Sequence, residues 1–142
     1  MKEFETYILP NGIKGIHRRT KSSIAHCALV VNAGTRDERD GEHGLAHFAE
    51  HAFFKGTEHR KAYQVNCRLE NRGGELNAYT TKEYTFFYTK ALDYQIIRAA
   101  DILFDMIRHP RLLEKDIETE KGVVLEEINM CEDDPSDVVY EV

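Results

Sequence analysis

Gly44-Leu45-Ala46-His47-Phe48-Ala49-Glu50-His51-Ala52-Phe53-Phe54 is the stretch from which the rest of the chain is read. Its apolar residues Leu45, Phe48, Ala49, Ala52 and Phe53 recur at three- and four-residue intervals, one helical stripe, and predict a helix over about 44–54. At roughly 100° per residue, His47, Glu50 and His51 share an arc on the opposite side. One face then anchors the helix in a core, and the other presents two imidazoles and a carboxylate to a cleft. Imidazoles four residues apart on a helix can reach one metal ion. Zinc accepts imidazole and carboxylate ligands, and a catalytic zinc site keeps one position open for water. Glu50 is poorly placed to ligate beside both histidines and well placed to reach that water as a general base. The bland alternative is a helix with two surface histidines and a solvated glutamate.

A further helix, over about 113–131, adds the carboxylates. Val123, Val124, Ile128 and Cys131 form its apolar stripe, and Glu120 and Glu127 lie on that same stripe. A buried carboxylate needs a partner or a metal. Glu127 is therefore the candidate third ligand, while Glu118 and Glu126 point away. Glu120, two turns earlier, either orients a histidine or the water, or forms an ordinary salt bridge to an Arg or Lys.

Around these helices the chain reads as follows. Residues 3–9 and 13–19 form two strands joined by Pro10-Asn11-Gly12, a hairpin signal. Residues 24–33 are nearly continuous in apolar and small residues and predict a buried strand. The polar segment 34–42 is a loop. A helix over about 60–71 stops at Gly73-Gly74. Residues 76–91, rich in Thr, Tyr and Phe, give two strands in a hairpin or one bent strand. Asp93 is positioned to N-cap a helix with the stripe Ile96, Ile97, Ala100, Leu103, Phe104 and Ile107, which stops at His109-Pro110. The order of elements predicts an α+β fold: a mixed, largely antiparallel sheet with helices packed on it. Residues 135–142 read as the start of another apolar segment.

Composition narrows the function. The 142 residues suit one domain. A net charge of -6 argues against nucleic acid as a partner, because phosphate neutralisation needs clustered Lys and Arg. The one basic run, Lys14 to Lys21, is short and interrupted. No apolar run is long enough to span a membrane, and the N-terminus has no secretory h-region. Cys27, Cys67 and Cys131 are odd in number and widely spaced, which fits a reducing, cytoplasmic compartment. Of the other histidines, His43 is one turn before His47 and a minor ligand candidate. His26 reads as a sheet or core residue, and His17, His59 and His109 read as surface groups. Tyr84, Phe86, Phe87 and Tyr88 alternate as a strand's two faces would.

The stretch from Gly44 to Thr57 resembles the signature of the pitrilysin, insulin-degrading enzyme and mitochondrial processing peptidase family, whose His-x-x-Glu-His order defines the inverted zincins. Glu120-Lys121-Gly122-Val123-Val124-Leu125-Glu126-Glu127-Ile128 resembles the family's downstream segment, at the spacing the family implies. Gly73-Gly74-Glu75-Leu76-Asn77-Ala78-Tyr79-Thr80 resembles its G-G-x-x-N-A-x-T element, and Leu9-Pro10-Asn11-Gly12 its common start.

The resemblance implies that His47, His51 and Glu127 bind Zn2+, that Glu50 is the catalytic base, and that Glu120 fills a second acidic position of the site. It implies that Asn77 and Ala78 sit on an edge strand that pairs with the backbone of an extended peptide substrate; alternatively, Asn77 only caps a turn. It further implies that residues 1–142 are an N-terminal zinc-binding metallopeptidase domain, incomplete at its C-terminus. A second, similar domain or subunit would supply an Arg and a Tyr to the site. The expected activity is zinc-dependent endoproteolysis, weak or absent in this chain alone. The alternative is a non-catalytic peptide-binding or assembly subunit of the same fold, although such relatives lose motif residues that are all present here. A closed structural zinc site would use four protein ligands, often Cys.

Overall fold

The computed structural model describes residues 4–133; the segment 135–142 and the side chain of Cys131 lie outside the described residues. Strands β1 (Glu5–Ile8) and β2 (Lys14–His17) form a separate hairpin. Strand β3 (Ile24–Val31) follows, then helix α1 (Leu45–Phe53) and helix α2 (Ala62–Glu70). Strands β4 (Glu75–Thr80) and β5 (Thr85–Leu92) come next, then helix α3 (Ile96–Arg108) and helix α4 (Glu114–Asp133). The main sheet has the order β3-β5-β4. Every strand pairing among the described residues is antiparallel, and the fold is α+β with helices packed on the sheet, as expected.

Alternation on β5 builds the core. Thr85, Phe87, Thr89 and Ala91 are buried on one face. Against them pack Ala99, Ile102, Leu103 and Met106 of α3 and Val65 and Leu69 of α2. Fully burying side chains such as Phe87, Leu69 and Ile102 contributes about 1.5–3 kcal/mol each. On the opposite face Phe86 stacks on Tyr79 at 5.1 Å. Phe53 of α1 meets Phe87 edge-on at 5.4 Å and ties α1 to this core.

Three expectations change. Segment 24–31 is not buried on both faces: His26, Ala28 and Val30 are exposed, and only Ala25, Cys27 and Leu29 turn inward. The apolar run reflects small residues on an edge strand. On α3 the buried stripe is Ala99, Ile102, Leu103 and Met106, whereas Ile97 is 80% exposed. The helix carries apolar residues around more than half its circumference, so periodicity alone leaves its phase open. Asp93 opens a 3-10 turn, Asp93–Gln95, and its carboxylate accepts only the Tyr94 N–H rather than capping α3.

Two turns set the frame of the site. Gly73 takes φ +73°, and the Gly73 and Gly74 N–H groups donate to Glu70 and Leu69 carbonyls at 2.9 Å each. This left-handed C-terminal stop ends α2 and starts β4 at once. The N-terminus of α1 has no capping side chain of its own. Glu38 supplies one from the preceding loop, accepting the Gly44 N–H at 2.9 Å and the Ala46 N–H at 2.8 Å.

Candidate metal centre

Helix α1 lies between β4 and α4, and this placement assembles the centre. Its apolar side is less complete than the stripe suggests: Ala52 is buried and Phe48, Ala49 and Phe53 are half-buried, but Leu45 is 52% exposed. His47, Glu50 and His51 are half-buried on its other side.

His51 Nε2 lies 3.2 Å from His47 Nε2 and 3.4 Å from Glu127 Oε2. His47 Nε2 and Glu127 Oε2 are 3.9 Å apart. A tetrahedral zinc with bonds of ~2.1 Å separates its ligand atoms by about 3.4 Å, so the three atoms have the spacing of one coordination shell. Two imidazoles and one carboxylate are also a donor set suited to zinc, with a position left open. Among the described residues this is the one group of three or more His, Cys, Asp or Glu side chains close enough to hold a metal ion.

The two α4 carboxylates occupy different environments. Glu127 is about half exposed, so burial did not single it out; helix phase did. Glu120 is the buried one, at 3% exposure. It faces His51 Nδ1 at 2.9 Å through one oxygen and pairs with the Lys55 ammonium through the other. Glu120 thus contacts a histidine and forms a salt bridge to a lysine at the same time. Burial by itself would raise its pKa, but hydrogen bonds and charge from Lys55 and His51 outweigh this and hold the carboxyl below its ordinary value. An ionised carboxylate only accepts. His51 therefore carries a proton on Nδ1, which leaves the Nε2 lone pair directed to the same point as His47 Nε2 and Glu127 Oε2, where a cation would accept it.

Glu50 reaches the other neighbour of α1. The Thr80 hydroxyl, at the end of β4, donates to Glu50 Oε2 at 2.6 Å. Asn77 is exposed within β4, and its side-chain Oδ1 accepts the Ala78 N–H at 2.8 Å, so it does not cap the preceding turn. Ala78 is buried against the core. β4 is an edge strand among the described residues.

The remaining histidines stand apart. His43 is exposed before Gly44 and outside the three-residue group. His26 is exposed on β3 and not a core residue. His17 faces Glu5 at 3.7 Å. His59 is more than a surface group: its Nδ1 lies 2.7 Å from Asp105 Oδ1, and Thr57 and Arg60 bind the same carboxylate. His109 packs edge-on against it at 5.0 Å. Sequence reading passed over Lys55, Thr80 and Glu38. Lys55 is four residues after His51, in the turn that follows α1, and its closeness to the motif was a usable signal. The partners of Thr80 and Glu38 depend on tertiary packing.

The sequence profile of the insulinase family, peptidase family M16, matches residues 16–142. A zinc protease of Streptomyces coelicolor, itself uncharacterised, is 39% identical over 136 residues, covering 94% of this chain and 29% of that protein. An uncharacterised zinc protease of Bacillus subtilis is 38% identical over 138 residues, covering 96% and 34%. The mitochondrial-processing peptidase subunit beta of Rattus norvegicus is 37% identical over 139 residues, covering 98% and 28%. The chain thus spans about a third of the length of these relatives. The crystal structure of a protease from Helicobacter pylori superposes with a TM-score of 0.92 at 24% identity, over 96% of this chain and 34% of that one, and bears on the fold.

Proposed function

The chain belongs to the insulinase family of peptidases, and from that premise we propose that it is the zinc-binding, catalytic part of an endopeptidase acting on extended peptides. The observation that carries this reading is the triangle of His47 Nε2, His51 Nε2 and Glu127 Oε2, with edges of 3.2, 3.4 and 3.9 Å. These three residues would hold the ion. Zinc supplies Lewis-acid activation of water and of the scissile carbonyl when bound.

The chain's own groups do the rest. Glu50 Oε2 is held by Thr80, and Oε1 is left to accept a proton. As the water oxygen bonds to the carbonyl carbon, its proton passes to Glu50. The same carboxyl then gives the proton to the leaving amine nitrogen as the carbon–nitrogen bond breaks. Glu120 fixes the orientation and tautomer of His51 and is kept charged by Lys55. The edge of β4, with Asn77 and Ala78, is suited to accept a peptide backbone by strand addition, a mode that gives affinity with little demand on sequence.

Residues 1–142 constitute one N-terminal domain on this reading. A second domain or subunit of the same family completes the cleft and adds donors for the tetrahedral intermediate, each about 3–4 kcal/mol of transition-state stabilisation. This chain by itself then binds zinc and cleaves poorly. No helix among the described residues is long and apolar enough to cross a membrane. A cytoplasmic site of action belongs to the proposal, on the free thiols Cys27 and Cys67.

Elemental analysis of the purified protein tests the reading. It should find about one zinc per chain, and His51→Ala should lose it. Glu50→Gln in the full-length protein should keep the metal and abolish cleavage. Absence of zinc from the unaltered protein would sink the metal site, and undiminished cleavage by Glu50→Gln would remove Glu50 from the chemistry.

A further inference from the structure

The Glu50 carboxylate stands on α1 beside two histidines, but the group that holds it comes from the sheet. Its only hydrogen-bond partner among the described residues is the Thr80 hydroxyl, at 2.6 Å. This contrasts with His51, whose ring is fixed by Glu120. Thr80 is unusually well braced. It pairs with Thr85 across the β4–β5 hairpin, and Thr85 is buried with its hydroxyl on the Ala33 carbonyl at 3.0 Å. The next residue, Thr81, closes the turn through its N–H to the Tyr84 carbonyl at 2.9 Å. The Thr81 carbonyl also accepts the Thr35 N–H at 3.1 Å from the loop that leads to α1. A β-branched side chain has few rotamers, so the hydroxyl is fixed along with the backbone.

We infer that Thr80 is a positioning residue for Glu50. Its hydroxyl binds Oε2, sets the rotation of the carboxylate and leaves Oε1 as the atom that exchanges the proton. The same strand carries Asn77 and Ala78 on its open edge, so the segment offered to a peptide backbone also holds the base. Threonine is used because the site needs a donor of fixed direction: serine keeps the donor and loosens it, while valine keeps the shape and removes it. The inference rests on Glu50 being the base, and the experiment separates the two.

In the full-length, zinc-loaded protein, Thr80→Val, Thr80→Ser and Glu50→Gln are compared on one extended peptide. A misplaced catalytic group costs about 10- to 100-fold in rate. Thr80→Val should therefore lose that much in kcat, with KM within about twofold and zinc stoichiometry unchanged, and Thr80→Ser should recover most of the loss. Where valine lowers the melting temperature, Thr80→Ala gives the same comparison. A second readout involves no turnover: adding Thr80→Val to Glu50→Gln should leave the Kd of the uncleaved peptide unchanged. Wild-type kcat in Thr80→Val and Thr80→Ala would overturn the inference. So would failure of serine to rescue, or a loss seen in KM and peptide Kd, which would assign Thr80 to the peptide edge. Cleavage by Glu50→Gln would instead defeat the underlying reading, whatever Thr80 does.

Discussion

Replacing Glu120 with glutamine tests how much of the zinc affinity proposed for this chain resides beyond the three proposed ligand atoms. The change preserves volume and leaves an oxygen that can accept from His51 Nδ1–H, but it removes the charge. The bond at stake is 2.9 Å long, and its carboxylate is 3% exposed. Hydrogen bonds to a charged partner contribute about 1.5–3 kcal/mol. Substitution of the groups that orient a metal-bound histidine lowers metal affinity by about 10- to 100-fold, or about 1.4–2.8 kcal/mol. The two ranges coincide, so the expected loss is one to two orders of magnitude. The Lys55 ammonium, left without its carboxylate, adds to the cost rather than offsetting it. Competition against a chromophoric zinc chelator measures the constant directly. Glu118→Gln, on the same helix with only Lys121 as an exposed partner, is the control and should bind as the unaltered protein does. Equal zinc affinity in Glu120→Gln and in that control would show that the His51–Glu120 bond does not act on the metal.

Two further outcomes concern stability. Burial would raise the pKa of Asp105, but hydrogen bonds from Thr57, His59 and Arg60 hold it below the ordinary 3.8. The unfolded chain therefore takes up that proton first on acidification. The stabilisation is complete above about pH 4 and is lost as pH falls through the lower folded value. Asp105→Asn should cost about 3 kcal/mol at neutral pH and flatten the acid limb of a urea-denaturation series; an unchanged limb would mean the cluster does not stabilise the fold. Glu38→Ala removes the carboxylate from the N-terminus of α1 and should cost about 1–2 kcal/mol. Denaturation midpoints unchanged by this substitution would show that the α1 terminus is held by other contacts.

How far the sequence carried the structure depended on whether one helix could be read by itself. His47, Glu50 and His51 share a face because of the helical repeat, which needs no neighbour. Glu127 was distinguished from Glu126 by the phase of α4, again a local property. The failures arise where a neighbour decides. α3 has two apolar stripes, and only the sheet chooses Ala99, Leu103 and Met106 over Ile97. β3 has a run of small apolar residues that does not reveal whether its outer face is covered. The Thr80–Glu50 bond spans two elements whose juxtaposition no periodicity encodes. Glu120 was legible as a buried carboxylate on its stripe, but the choice between histidine and lysine had no answer in the sequence because the structure uses both.

The division of the centre between α1 and α4 also bears on when it can exist. His51 and Glu127 are separated by ~75 residues, and closing a loop of that size carries a chain-entropy cost before any contact rewards it. Among its described side chains, α4 buries only Glu120 and Val124, so little apolar surface compensates. On the proposed reading, an ion shared by the two helices acts as a cross-link across that loop. At a free concentration 100 times its Kd, it favours the closed arrangement by about 2.7 kcal/mol. α4 is then a latch whose fastening depends on metal supply. The last part of the domain to gain protection from hydrogen exchange would be the helix that carries the third ligand, making activation and completion of the fold a single event.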